Sequence, residues 1–339
     1  MKKVLLVLGL MLASAFACLA EQAAPLHLRK TIPVPGVKRK WDHFGVDLKN
    51  HRLFATSEEE PAIELFDLRT DKHTRTLMGF DEPHNVIVLP ELRKILVVDG
   101  GASEVKTLDF TSYKVTGHTK LSIDADPYVY DPATKYAYVV NGGRQSHTPY
   151  CLISIVDVST GKKLADLKLD TNRLESMAIE KSGNRIFVNM TGVNKIGVLD
   201  RNQRRIVATW PLQAGEENVP MQLDEASHRL FVVTRKPSRL IVVDTETGKE
   251  IKSLDVADRV DDLAFDSANH RLYLSGGGGD GAITVVQQRN ADNYDVIATI
   301  PTKPGAKTAR FVPELHKYYV GVPTKEKQEA QILVFDVTP

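Results

Sequence analysis

Eleven ionisable side chains stand at corresponding positions of a sequence repeat and could together bind a metal ion or a charged ligand. Carboxylates alone would suit Ca²⁺, whereas carboxylates with histidine admit Zn²⁺ or another transition metal. An arginine beside them can hold a carboxylate through two parallel hydrogen bonds. The set consists of Asp42, His43, His84, Asp126, Glu175, Glu216, Glu217, Asp261, Asp262, Lys307 and Arg310. Whether these side chains meet depends on the elements that carry them.

The elements are short apolar strands that repeat along the chain. Within residues 228–257, segments 229–234 and 239–244 are rich in Val, Ile, Leu and Phe, which is typical of strands buried on both faces. A turn at 244–248 leads to a more polar third strand. One strand of each repeat carries a large apolar residue, at intervals of 42, 42, 49, 44, 42 and 46 residues. These residues are Phe54, Leu96, Tyr138, Phe187, Phe231, Tyr273 and Tyr319.

A repeat of this length built from strands alone predicts an all-β fold, a seven-bladed β-propeller with four-stranded blades. The seventh repeat has only three strands of its own. Segment 30–34 resembles the outer strands of other repeats, such as 298–302. We therefore expect it to pair with 331–336 and close the ring, which removes exposed sheet edges. No shift in composition marks a boundary, so residues 21–339 are expected to form a single domain.

Several other polar or aromatic residues repeat from blade to blade, and repetition at a turn indicates a structural role. Four histidines precede the second strand at the same position: His51, His228, His270 and His316. Six aspartates end the third strand and are expected to cap the turn after it: Asp67, Asp109, Asp157, Asp200, Asp244 and Asp336. Trp41 and Trp210 are expected to pack between strands.

The first 20 residues have the pattern of a secretory signal peptide. A charged start at residues 1–3 precedes an apolar run at 4–17, and Ala17 and Ala20 each end a small-residue cleavage pattern. We therefore expect an exported protein, either periplasmic or extracellular. No later stretch approaches the roughly 20 apolar residues that a membrane-spanning helix needs.

The two cysteines have separate expected roles. Cleavage after Ala17 would place Cys18 at the N-terminus, where a lipid could anchor the protein to the envelope. The leucine that usually stands three residues before such a cysteine is replaced by Ala15. Loss of Cys18 with the signal peptide would leave Cys151 alone, which excludes an intramolecular disulfide. Cys151 is expected to be a small buried side chain at the start of a strand.

Net charge and motifs exclude some classes of function. The formal net charge is +1, which gives no general electrostatic attraction to nucleic acid or anionic membranes. The sequence has no G-x-S-x-G, H-E-x-x-H or C-x-x-C motif. The glycine run at 276–279 is not followed by Lys-Ser or Lys-Thr, so it is expected to be a loop between strands and not a phosphate loop.

Two tetrapeptides carry a family signature, Tyr138-Val-Val-Asn141 and, more loosely, Phe231-Val-Val-Thr234. On these motifs the chain resembles the YncE-like family of YVTN-repeat β-propellers, which are exported bacterial proteins. Similar features are Pro83-His84, Tyr130-Asp131-Pro132, Trp210-Pro211-Leu212, Gly215-Glu216-Glu217, Val260-Asp261-Asp262 and Ala309-Arg310. The resemblance covers essentially the whole chain after the signal peptide and implies the fold. Nucleic-acid binding, proposed for one relative, is not expected here because no basic and aromatic stripe is present.

The first strand of each propeller blade lines the central channel, so the eleven residues are expected at one channel mouth. In the favoured interpretation they neutralise one another, with Lys307 and Arg310 pairing with Asp261, Asp262 or Glu175. In a second interpretation they bind a cation, with His84, Asp126, Glu175 and Asp261 as candidate ligands. In a third, Arg310 anchors the carboxylate of an organic ligand.

These observations favour a non-catalytic exported binding or scaffold protein with its site at the channel mouth. The expected partner is a small molecule or an envelope protein, and no cofactor is expected, with Ca²⁺ or Zn²⁺ as the alternative. The alternative function is a metal-dependent propeller enzyme of the lactone hydrolase or lyase type, in which a metal polarises a carbonyl.

Overall fold

Seven four-stranded antiparallel sheets form the blades of a ring in the structure, a computed structural model that describes residues 24–35, 38–58 and 61–339. This arrangement confirms the predicted all-β, seven-bladed propeller. Blades 1 and 2 contain β2 (Trp41–Asp47), β3 (Arg52–Ser57), β4 (Ala62–Asp67), β5 (Lys72–Met78), β6 (Pro83–Leu89), β7 (Lys94–Asp99), β8 (Glu104–Asp109) and β9 (Val115–Lys120). Blades 3 and 4 contain β10 (Tyr128–Asp131), β11 (Tyr136–Gly142), β12 (Cys151–Asp157), β13 (Lys162–Leu169), β14 (Met177–Ile179), β15 (Arg185–Met190), β16 (Lys195–Asp200) and β17 (Arg205–Pro211).

The remaining strands complete blades 5 to 7. Blades 5 and 6 contain β18 (Glu216–Asp224), β19 (Arg229–Lys236), β20 (Ser238–Asp244), β21 (Glu250–Asp255), β22 (Val260–Asp266), β23 (Arg271–Gly276), β24 (Ala282–Gln288) and β25 (Tyr294–Pro301). Blade 7 contains β26 (Thr308–Val312), β27 (Lys317–Val322), β28 (Gln331–Val337) and β1 (Leu26–Pro33). Short 3₁₀ turns occur at Pro90–Leu92, Thr191–Val193 and Pro313–Leu315.

The N-terminal strand completes the last blade, as predicted. β1 runs antiparallel to β28, with Lys30 opposite Val334 and Pro33 opposite Gln331. β1 is the outermost strand of that sheet, so the missing amide of Pro33 leaves no gap in a central ladder. The ring is therefore closed by hydrogen bonds between the two ends of the fold.

The apolar core lies largely between neighbouring blades. Phe54 and Leu65 of blade 1, for example, pack against Val86 and Val97 of blade 2. The repeating apolar residue of the second strand is buried in every blade, with exposures from 0 to 2%. Burial of a phenylalanine at this position contributes about 3–5 kcal/mol by comparison with alanine. This packing fixes the position of the first strand beside it, and hence the side chains that line the channel.

The basic residue at the start of the second strand forms a bond to the next blade in six of the seven repeats. Arg52 of blade 1 donates to the carbonyl of Phe110 in blade 2 at 3.0 Å, and Arg185 of blade 4 donates to Thr245 in blade 5 at 2.6 Å. The equivalent bonds are Lys94 to Val158, Arg229 to Ala291, Arg271 to Thr338 and Lys317 to Leu68. Tyr136 occupies this position in blade 3. These bonds hold adjacent sheets in register.

The repeated turn residues have the structural roles predicted for them, with one exception. The four histidines before the second strands all adopt left-handed backbone conformations, with φ between 49° and 55°. The aspartates at the ends of five third strands accept hydrogen bonds from backbone amides two or three residues ahead. The prediction is wrong for Asp336, because no fourth strand follows it, and it instead accepts from Arg29 at 3.5 Å.

Both tryptophans are packing residues, as predicted. Trp41 is 2% exposed and donates from Nε1 to the carbonyl of Val322 at 2.7 Å, across the junction of blades 1 and 7. Trp210 packs on Phe187, with ring centroids 5.7 Å apart. Neither indole is available to stack on a ligand in the channel.

Two sequence predictions fall outside the described residues, namely the signal peptide at 1–20 and lipidation of Cys18. Within the described part of the chain, no helix has the length and apolar character that crossing a membrane requires. Cys151 is free and 1% exposed, and burial raises the pKa of its thiol to about 11. This thiol is therefore protonated and inert at neutral pH, which agrees with a packing role.

Candidate functional site

Five of the predicted residues meet at one mouth of the channel, and we call them the mouth cluster: Asp42, His43, His84, Asp126 and Asp262. His84 Nδ1 lies 2.6 Å from Asp42 Oδ2 and 3.8 Å from Asp126 Oδ1. His43 Nδ1 lies 3.4 Å from Asp262 Oδ1, and its Nε2 lies 3.9 Å from Asp42 Oδ1. Asp42 and His84 are one repeat apart in sequence, so the ring places them side by side. The mouth cluster therefore joins blades 1, 2, 3 and 6.

Mutual attraction fixes the charges of the mouth cluster. Burial disfavours ionisation of Asp42, but the charge of His43 and the hydrogen bond from His84 outweigh it and lower the pKa of Asp42 well below its usual range. Burial likewise opposes protonation of both histidines. The neighbouring aspartates outweigh this effect, raising the pKa of His84 to about 10 and that of His43 well above its usual value. At neutral pH the imidazolium of His84 thus faces Asp42, and the imidazolium of His43 faces Asp262.

Asp126 is the member of the mouth cluster whose protonation state is least fixed at neutral pH. Burial raises its pKa to about 7, although the positive charge of His84 opposes the shift. The side-chain amide of Asn85 donates to Asp126 Oδ1 at 3.3 Å and to its carbonyl at 3.1 Å. Asp126 can therefore exchange a proton near neutral pH without leaving its position.

The other predicted acids on this face have basic partners of their own. Asp261 forms ion pairs with Arg235 and with Lys307. Burial lowers the pKa of Lys307, but Asp261 outweighs this effect and raises it to about 12. The predicted pairing of Lys307 with Asp261 is therefore present. Glu175 is held at 2.7 Å by Arg173, and burial raises the pKa of Glu175 against the opposing charge of Arg173.

Glu216 and Glu217 do not join the mouth cluster. Glu216 is exposed at the start of β18. Glu217 has a left-handed backbone, with φ of 57°, and pairs with Lys236 at 2.6 Å. Because this pair lies within the β18–β19 hairpin, its role is local.

The channel below the mouth is a cavity of about 730 Å³ lined by the first strands of all seven blades. Arg310 is exposed along its wall, and its guanidinium makes no hydrogen bond or ion pair with any described residue. The predicted pairing of Arg310 with Asp262 is absent, because Asp262 accepts from the amide of Ala309 at 2.7 Å and faces His43. Among the predicted site residues that line this cavity, Arg310 is thus the one whose charge has no partner within the described chain.

Sequence reasoning missed four residues that shape this face: Glu58, Asn85, Arg173 and Arg235. Glu58 pairs with Lys40, and burial together with Asp42 raises its pKa. Glu58 follows a second strand, and loops after second strands lie on the mouth face, so the repeat alone could have located it. The basic partners of Asp261 and Glu175 could not be predicted from the repeat, since these pairings depend on side-chain geometry.

Among the described residues, two sets of side chains could hold a metal ion. The ligand atoms of Asp42, His43 and Asp126 all lie within 4.8 Å of one another, as do those of Asp42, Glu58 and His84. His43 presents Nδ1 to Asp262, an arrangement typical of a metal-binding imidazole oriented by a carboxylate. Of the ligands predicted from sequence, His84 and Asp126 belong to these sets. Glu175 and Asp261 lie outside both, since each is paired with a basic residue.

The chain is similar in sequence to a known protein over nearly its full length. No family model matches the chain. The chain is 21% identical to the uncharacterized protein YncE of Salmonella typhimurium over 344 residues, which cover 96% of this chain and 93% of YncE. This similarity, together with the seven-bladed fold, supports a resemblance to the YncE-like β-propellers. Its resemblance to this family, inferred from the repeats, is thereby confirmed.

The fold is also shared with a solved structure of low sequence identity. A chain of Kuenenia stuttgartiensis hydrazine synthase matches with a TM-score of 0.74 and 15% identity, covering 85% of this chain and 94% of that chain. At this identity the match shows the fold alone. Because one fold can host unrelated activities, function must be argued from the site.

Proposed function

We propose that this YncE-like propeller is an exported binding protein that takes a small-molecule ligand into its central channel from the mouth. Export rests on the sequence pattern of residues 1–20. The observation that carries the binding role is the channel itself. Its volume of about 730 Å³ falls in the range of roughly 300–1,000 Å³ that small-molecule sites occupy.

The composition of the channel supports the same function. Ionisable groups are concentrated in the mouth cluster, whereas the wall below it combines apolar side chains such as Met177 and Leu263 with polar ones such as Tyr128 and Gln222. A cavity that combines apolar side chains with a few polar groups can bind a small molecule and fix its orientation. The mouth cluster holds its charges rigidly, so it can select ligands by charge as they enter.

Blocking the channel tests this proposal without assuming what the ligand is. Gln222 is exposed along the channel wall, so Gln222→Trp should fill the cavity without disturbing a buried contact. Compounds that raise the melting temperature of the wild-type protein should fail to do so with this variant. Val207→Trp is the control, because Val207 is 43% exposed on an outermost strand. Equal binding by wild type and Gln222→Trp would refute a channel site.

The second candidate function is a metal-dependent hydrolase or lyase. The specific observation in its favour is the convergence of Asp42, His43 and Asp126, with His43 oriented by Asp262. A metal held there would supply a Lewis acid at the channel mouth. This candidate requires about one equivalent of metal in the protein purified without chelator, and a gain in thermal stability on adding Zn²⁺ or Ca²⁺. If neither is found, this candidate is excluded.

A further inference from the structure

Arg310 indicates which class of ligand the channel takes. We propose that the ligand is an apolar monocarboxylate whose carboxylate is bound by Arg310, an inference that rests on the channel being the binding site. An arginine guanidinium offers a planar pair of donors that matches a carboxylate. Arg310 lies on β26, a first strand, with its side chain exposed to the cavity and not to the outer surface.

The fold keeps nearby carboxylates away from Arg310. Asp262 of the adjacent blade is occupied by the Ala309 amide and by His43. Asp261 is occupied by Arg235 and Lys307. Deeper in the channel, Asp224 accepts from the side-chain amide of Gln288 at 2.9 Å. Each acid that could have neutralised Arg310 is thus already bound, so a carboxylate brought by a ligand has no competitor.

Two further side chains give Arg310 a polar surrounding. Tyr128 lines the same cavity, and burial raises the pKa of its hydroxyl although the charge of Arg310 opposes the shift. Gln222 stands at the level of Arg310, since both lie opposite the repeating aromatic residue of the neighbouring strand. A hydroxyl and an amide that line the same cavity are groups that can donate further hydrogen bonds to a carboxylate.

The remainder of the wall offers contacts to an apolar body and favours only one acidic group. Val129, Met177, Met221 and Leu263 line the cavity around this level, together with uncharged polar side chains such as Gln222. Lys181, the other unpaired cation along the described cavity wall, follows the end of β14 at the opposite opening and is exposed. A ligand bound at mid-channel therefore meets one cation together with apolar and uncharged polar side chains, which suits a monocarboxylate with a compact apolar body, such as an aryl-alkanoate or a branched alkanoate.

Calorimetric titration of the mature protein with 3-phenylpropanoate and with 3-phenylpropanamide tests this assignment. The two probes have the same apolar body and differ in charge, so we expect the amide to bind at least about tenfold more weakly. Arg310→Gln should weaken binding of the carboxylate at least about tenfold and leave the amide unchanged. Arg310→Lys should have an intermediate effect, because lysine keeps the charge and loses the paired donors. Arg205→Gln removes the same charge from an outermost strand and should change nothing.

The outcomes separate this inference from the function on which it rests. If Gln222→Trp abolishes binding of both probes while Arg310→Gln affects neither, the channel is a binding site and the carboxylate assignment is wrong. Equal affinity for carboxylate and amide would lead to the same conclusion. If 3-phenylpropanoate, 4-methylpentanoate and octanoate all fail to bind up to about 5 mM, the assignment is also overturned. Binding that survives Gln222→Trp would refute the channel site itself.

Discussion

The mouth of the channel and its wall differ in whether their charged side chains have partners of opposite charge. At the mouth, each histidine of the cluster faces at least one aspartate, and the acids beside the cluster have arginine or lysine partners. A short distance below, Arg310 has no partner among the described residues. Polar side chains are abundant in both regions, so abundance does not distinguish them.

This difference shows which charges the fold itself requires. A buried group with a built partner contributes to stability or specificity, and its removal leaves the partner uncompensated. An unpaired charge in a cavity has no such structural purpose, so it is the better indicator of a ligand. Substitutions in the two regions should therefore differ in their effects on stability and on binding.

The largest effect is expected from Asp42→Ala. Asp42 is 4% exposed and is the closest counterion of His84, so its loss leaves a buried imidazolium with only the more distant Asp126 and Glu58 beside it. We expect the free energy of unfolding to fall by about 3–5 kcal/mol, measured by chemical denaturation. Glu216→Ala is the matched control on an exposed acid and should stay within about 0.5 kcal/mol of wild type. A loss below about 1 kcal/mol for Asp42→Ala would mean that the mouth pairs are not structural.

The second largest effect is expected in the pH dependence of the free energy of unfolding. The pKa of His84 in the folded protein, about 10, lies above the value of 6.5 for a free imidazole. Protonation of His84 therefore stabilises the fold fully below pH 6.5, and the contribution is lost as pH rises from there toward 10. Between about pH 7.5 and 9.5 the wild-type free energy of unfolding should fall relative to His84→Gln, by a few kcal/mol at most. Denaturation in EDTA buffers measures this, and parallel curves for the two proteins would contradict it.

A smaller effect is expected at the edge of the mouth. Glu175 and Arg173 are each about one-fifth exposed and lie 2.7 Å apart. Glu175→Gln should lower the free energy of unfolding by about 1 kcal/mol, because solvent weakens a partly exposed ion pair. A double-mutant cycle with Arg173→Gln isolates the interaction. Zero coupling between the two positions would show that the pair is incidental.

The smallest effect on stability is expected from Arg310→Gln. No described partner is lost, so the free energy of unfolding should stay within about 0.5 kcal/mol of wild type, even though binding of 3-phenylpropanoate is weakened. Denaturation and calorimetry on the same preparation make the comparison. A loss of about 2 kcal/mol or more would place Arg310 with the structural charges of the mouth and remove the contrast.

The fold could be predicted from sequence because its signals are periodic. The buried aromatic at Phe54, Phe231 or Tyr273 recurs once per blade, and the number of repeats gives the number of blades. The segment at residues 30–34 identified the closing strand because it resembled other outer strands. Asp336 was wrongly assigned a capping role, since the pattern continued there while the following turn did not.

The candidate site was predictable in its position but not in its pairing. The register of first strands located Asp42, His84 and Asp126 on one face, because ring symmetry brings equivalent positions together. The register could not reveal that Asp261 pairs with Lys307 and Arg235, or that Arg310 has no partner among the described residues. These choices depend on distances of a few ångströms between side chains of different blades, which strand register does not specify.

Ring closure by β1 and β28 has a consequence for how the protein matures. The strand that is synthesised among the first residues finds its partner only when the last strand has emerged. Until then the sheet of blade 7 stays incomplete, and contacts spanning nearly the whole chain must form late, which slows folding. During that interval the unfinished propeller has an open sheet edge that can pair with other chains.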